Sequence, residues 1–198
     1  LYMEAVKAIA NPEFDNFIWI CYQKAPEDVI EHLSMVGATT TSINKIHFID
    51  MLSHMLGLEQ KNNNASYCMS PTDYNCLLRS MEQQYANGER CLIIFDNLNA
   101  LMSYDVIERM IRFIRNLNNL TASNKSAILY LGIAGGTSHE VEVAIDATMD
   151  NIYQIPENTT NQSKVWNKLK NTSWTDVFTL NAPLVFLLLI TLLVLNIT

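Results

Sequence analysis

"CLIIFDNLNALMSYD", residues 91–105, decides how the rest of the chain is read. Its first five residues are apolar without a break and lead straight into Asp96. A strand with one wet face alternates apolar and polar residues, whereas an unbroken apolar run suits a strand covered on both sides. Residues 91–95 therefore predict a buried strand of a parallel sheet, with Asp96 at its carboxyl end. In open parallel sheets ligands gather at that end, where helix N-termini also point. A carboxylate there can orient the water shell of a nucleotide-bound Mg²⁺, which takes one or two carboxylates plus phosphate oxygens. It can equally cap a turn, because "DNLN" suits Asx hydrogen bonds. Spacing alone favours neither reading of Asp96.

Working outward, the same grammar repeats. "YDVIERMIRFIRNLNNL" predicts a helix with its apolar stripe at Val106, Ile107, Met110, Ile111, Ile114 and Leu117. "SAILYLGIA" predicts the next strand, "SHEVEVAIDATM" a helix and "NIYQI" a last strand. Upstream, "LYMEAVKAIA" reads as the end of a helix broken at Asn11-Pro12, and "NFIWICY" as a strand covered on both faces. "APEDVIEHLSMVG" opens a helix with Pro26, Glu27 and Asp28 and closes it at Gly37. "KIHFIDML" is a short strand. "SPTDYNCLLRSMEQQYANGE" predicts a helix capped by Ser70, with Pro71 just inside and Asn87-Gly88 at its close. Strands separated by helices indicate βαβ units. The expected fold is α/β, a three-layer sandwich with a mostly parallel sheet.

Composition narrows the function classes. The chain has 198 residues, enough for one sizeable core, and 49% of them are apolar. A net charge of −7, with its basic residues scattered, argues against nucleic acid as a partner. The four cysteines, Cys21, Cys68, Cys76 and Cys91, show no CxxC spacing. They are read as reduced and cytosolic, with neither a zinc site nor a disulfide framework. His32, His47 and His54 are scattered, and His139 and Glu140 are sequence neighbours that lie on different helix faces. No metal set is assigned. "AGGTSHE" is a Gly-bearing turn capped by Ser138, whose amides could also touch an anion. Asp50 ends its strand as Asp96 does, and is read as a helix cap.

The tail carries a different message. Val177 to Thr198, "VFTLNAPLVFLLLITLLVLNIT", has no charge, and about 20 apolar residues cross a bilayer as a helix. Lys164, Lys168 and Lys170 precede it and nothing basic follows. The positive-inside rule then predicts a single-pass anchor in membrane lipid with the globular part in the cytoplasm. Domains are expected at residues 1–156 (α/β), 157–176 (polar linker) and 177–198 (transmembrane tail anchor). The chain starts with Leu inside a helical pattern, so the first domain is expected to be incomplete at its N-terminus.

The order of these stretches resembles the RecA-superfamily ATPases of the KaiC-like branch, especially archaeal KaiC-like signalling proteins. "DNLNALM" mirrors that family's "DSLSALL"-type turn after an acid-ended strand. "FIWICYQKAPEDVIEHLSMVG" is similar to its second strand and following helix, "KIHFID" to the next strand, and "DNIYQI" to its "DGVIxL" strand. The resemblance covers about residues 1–155. It implies a RecA/P-loop-like fold, ATP and Mg²⁺ as cofactors with Asp96 on the metal side, and either a protein partner or assembly with further copies. Two departures count against turnover. The Gly-rich phosphate loop with its Lys and Ser/Thr is absent, and in this family it would precede Leu1. Where active relatives carry acids to polarise the attacking water, this chain reads Gln23-Lys24. No catalytic residue is assigned. The expectation is a membrane-anchored, catalytically degenerate domain with a regulatory or signalling binding role. An active ATPase and an adaptor that binds no nucleotide are the alternatives.

Overall fold

A computed structural model describes residues 2–10, 13–85, 89–133, 136–155 and 185–190. In chain order the elements are α1 (Tyr2–Ile9), β1 (Asn16–Cys21), α2 (Pro26–Met35), α3 (Thr40–Ile43) and β2 (Ile46–Asp50). Next come α4 (Ser53–Leu56), β3 (Ala65–Tyr67), α5 (Tyr74–Tyr85) and β4 (Cys91–Phe95). The chain continues through α6 (Leu98–Leu101), α7 (Ile107–Ser123), β5 (Ala127–Gly132), α8 (His139–Asp146), β6 (Asn151–Ile155) and β7 (Val185–Ile190). The strands lie side by side in the order β3-β2-β1-β4-β5-β7-β6, and every pairing described is parallel. The α/β architecture expected from the sequence is the one found.

Side chains of a strand alternate between faces, so each buried strand feeds two cores. Ile18, Ile20, Ile93, Phe95, Ile128 and Tyr130 point to one face. There α5 meets them with Leu77 and Met81, and α7 with Met110, Phe113, Ile114 and Leu117. Phe17, Trp19, Phe48, Leu92, Ile94 and Leu131 point to the other, under Ala5 and Ile9 of α1 and Val29 and Leu33 of α2. All of β4 is buried, which is why its sequence shows no alternation. Truncating one such side chain to Ala typically removes about 2–5 kcal/mol of stability.

Three local expectations are corrected. Ser70 does not cap α5: the helix begins at Tyr74, and Asp73 Oδ1 accepts the Cys76 N–H at 3.1 Å. Pro71 instead sits in a turn closed by Asp73 N–H to Ser70 O at 3.0 Å. Ser138 lies at the N-cap of α8 but its side chain makes no cap hydrogen bond; Glu140 and Glu142 complement the helix dipole there. The cysteines are not all reduced. Cys68 and Cys76 form a disulfide, because β3 and the first turn of α5 bring their Cα atoms to 5.7 Å despite the absence of CxxC spacing. Cys21 and Cys91 are free and buried, as small apolar residues would be.

The linker at 157–176 lies outside the described residues, as does most of the tail. The tail was expected to be a helix over 177–198, and its six described residues, Val185–Ile190, are extended in β7. Among the described residues no helix is long and apolar enough to cross a membrane. The five strands β3-β2-β1-β4-β5 form a continuous run without this segment, and they alone carry the site described next.

Candidate functional site at the carboxyl edge of β1 and β4

The chain leaves β1 outward through β2 to β3, then returns to the opposite side of β1 for β4. The connections after β1 and β4 therefore depart in opposite directions and open a crevice between the two carboxyl ends, the usual ligand position in open α/β sheets. Asp96 occupies it. Its N–H continues the ladder to Ile20 O at 3.2 Å, so the carboxylate projects from the strand end itself.

Asp96 is 3% exposed. Oδ1 accepts the Tyr22 N–H at 2.8 Å and Oδ2 accepts the Gln23 N–H at 3.3 Å. The side chain thus staples the end of β4 to the turn leaving β1. Burial pushes its carboxyl up to about 7, against the backbone amides of Tyr22, Gln23, Lys24 and Asn97, which favour the charged form. Near neutral pH the group is divided between its two protonation states. Chemically this is a carboxylate held by amides, with its remaining lone pairs in a site that admits little water.

The neighbours are bonded to one another. Asn97 Nδ2 donates to Gln23 Oε1 at 3.2 Å across the crevice, while Asn97 Oδ1 caps α6 by accepting the Ala100 N–H at 3.1 Å. Lys24 Nζ donates to His32 Nε2 at 2.8 Å. His32 can accept there because its Nδ1–H donates to Asp28 O at 2.6 Å. Tyr2 stacks on Trp19 and on His32, with Lys24 Nζ 5.7 Å from its ring centre. Burial, and next the charge of Asp96, push the Tyr2 phenol up. Gln23 and Lys24 themselves offer an amide and an ammonium beside the Asp96 carboxylate, and neither of the two is a proton acceptor for water.

Asn99 links the next connection. Its Oδ1 accepts the Ile133 N–H at 2.6 Å and its Nδ2 donates to Ile133 O at 3.3 Å. Gly136 packs against this clasp so closely that a Cβ would meet Asn99 Nδ2 at 2.8 Å and Ile133 O at 2.9 Å. Beside it is a small cleft lined by Leu98, Thr137, Glu142 and Asp146 among others. Burial, then Glu142, push the Asp146 carboxyl up. Of the "AGGTSHE" turn, Ala134 and Gly135 lie outside the described residues.

The other sequence candidates are placed elsewhere. Asp50 caps α4, its Oδ1 accepting the Leu52 and Ser53 N–H groups at 2.8 and 2.9 Å. His47 contacts Asn64 and Ser66, and His54 and His139 are exposed. Among the described residues no three His, Cys, Asp or Glu side chains converge as a metal would need. Sequence reasoning singled out Asp96 and Gln23-Lys24 but missed Tyr22, Asn97 and Asn99. The Asn residues were inside the quoted "DNLN", and their amides are the polar groups left to pair once the turn buries them.

Compared with models of known protein families the chain matches none, and among curated proteins no match was found either.

Proposed function

We propose that this chain is a membrane-anchored, KaiC/RecA-like domain that binds and signals rather than turning over a substrate. The observation that carries the reading is the closed circuit at the crevice. Asp96 holds backbone amides, Gln23 holds Asn97, and Lys24 holds His32. A hydrolase needs a group within reach of water that takes its proton, and these partners leave none at the position where active relatives carry acids. What the crevice offers is recognition: an acid that titrates near neutrality, an ammonium and two amides, at the edge where a nucleotide phosphate and its Mg²⁺ would be read.

The anchor is the second half of the proposal. A strand needs about five or six residues, yet the uncharged run from Val177 to Thr198 has the length of a bilayer helix. Strand β7 and a membrane span are alternative places for one segment. Its length and the lysines before it favour the span, with the sheet on the cytoplasmic side.

Equilibrium dialysis of the full chain in detergent against Mg-ATP, with phosphate release followed in parallel, tests the binding reading. Expected are Mg²⁺-dependent binding without release, and affinity lowered about tenfold or more in Asp96→Asn. Release well above background, abolished in Asp96→Asn, would make the chain an ATPase. No Mg²⁺-dependent affinity at all would make it an adaptor.

A further inference from the structure

The loop between β3 and α5 is tied at two points that belong to one device. Its ends are joined by the Cys68–Cys76 disulfide. Between them Pro71 O accepts the Tyr22 O–H at 2.9 Å, a buried contact. Tyr22 in turn stacks on Phe95 with ring centres 4.8 Å apart, and its own N–H is the donor to Asp96 Oδ1. A covalent clip therefore presses one carbonyl onto the residue that helps to hold the crevice acid. Nothing in the crevice reading requires this clip, and the inference goes beyond that reading.

We infer that Cys68 and Cys76 form a reversible thiol–disulfide switch, whose state sets how firmly the turn leaving β1 is held against Asp96. Cys68 is fully buried, while Cys76, in the first turn of α5, is only partly buried, so exchange enters from the Cys76 side. Closure consumes a low-molecular-weight disulfide. One cysteine thiolate attacks it and releases the first small thiol; the second cysteine thiolate then attacks the mixed disulfide and releases the other. Two cysteine thiols give up two electrons and two protons, and the small disulfide leaves as two thiols. A small dithiol reverses the step. When the bridge opens, the loop gains conformational freedom, Pro71 O no longer sits at a fixed place, and Tyr22 loses its anchor.

Hydrogen exchange on the full chain in detergent tests this, comparing protein oxidised with glutathione disulfide and protein reduced with dithiothreitol. Reduction is expected to speed exchange about tenfold or more in the peptide covering residues 69–76, and also in the peptide covering residues 22–24. Cys76→Ser, which leaves the buried Cys68 untouched, should match the reduced protein whether or not reductant is present. In Tyr22→Phe, which lacks the hydroxyl donor, the loop should still respond to redox state but residues 22–24 should not. Equal exchange at residues 22–24 in the two redox states overturns the inference. So does a redox response there that survives in Tyr22→Phe, or a bridge that dithiothreitol opens only under denaturing conditions.

Discussion

Asp96 is a carboxylate whose two oxygens both receive backbone N–H groups from the turn after β1. Such a group stabilises the fold through its hydrogen bonds and opposes it through the loss of hydration. Burial wins here, and the pKa stands at about 7. In the unfolded chain an aspartate titrates near pH 4 on an approximate scale. The folded state therefore keeps its proton over a range where the unfolded state has lost it. Stability from this group is fully present below about pH 4, declines as pH rises, and is exhausted once pH passes the folded value near 7. The gap between those values is worth on the order of 4 kcal/mol. Asp96→Asn should be less stable at pH 5 by roughly 1–3 kcal/mol, because its amide nitrogen cannot accept from a backbone N–H. Between pH 5 and pH 8 the parent loses roughly 2–3 kcal/mol of this proton-linked stability, so the deficit of the variant should vanish or reverse by pH 8. Urea unfolding at the two pH values measures it; a difference that does not change with pH would show that Asp96 does not titrate in this range.

At the scale of elements, caps and close approaches make the sharpest predictions. Asp73→Ala removes the side chain that caps α5 and should cost about 1 kcal/mol. Ser70→Ala should cost less, since Ser70 precedes the turn rather than the helix. Thermal unfolding of both variants separates the two assignments. Gly136→Ala drives a Cβ against Asn99 Nδ2 and the Ile133 carbonyl, and should cost about 1–3 kcal/mol. If Asn99 is the flexible partner that yields, the double variant Gly136→Ala with Asn99→Ala will not lose the sum of the two single effects. These elements also show what the sequence could and could not tell. The buried strands were legible because β4 has no polar residue to turn outward, and α7 because its apolar residues recur at helical spacing. Strand β3 was not legible: three residues are too few to display an alternation, and its place in the sheet comes from Phe48–Asp50 pairing with Ala65–Tyr67. The Asp96 position was legible as a strand end, whereas its use as a staple depends on Tyr22 and Gln23, over seventy residues earlier in the chain. A separation of 34 residues likewise hid the Asn99–Ile133 clasp, while the joining of β3 to α5 through Cys68 and Cys76, only 8 residues apart, was hidden because their spacing matches no disulfide or metal motif.

At the scale of the whole molecule, the described residues form a parallel sheet between two helical layers, with a self-bonded crevice at one edge, and the sequence continues into an uncharged apolar run. The crevice rests on strands β1 and β4, whose pairing is independent of the tail. The tail decides where that crevice works. If Val185–Ile190 stays between β5 and β6, the sheet is a closed water-facing particle; if it enters lipid, the five-stranded portion hangs beneath a bilayer. Flotation of the full chain on a density gradient with phospholipid vesicles, beside a version ending at residue 176, reads the difference directly. The account predicts that the full chain rises with the vesicles and stays with them in alkaline carbonate, while the shortened one remains below, folded. A full chain that stays in the aqueous fractions, or a shortened one that unfolds for want of its seventh strand, would contradict it.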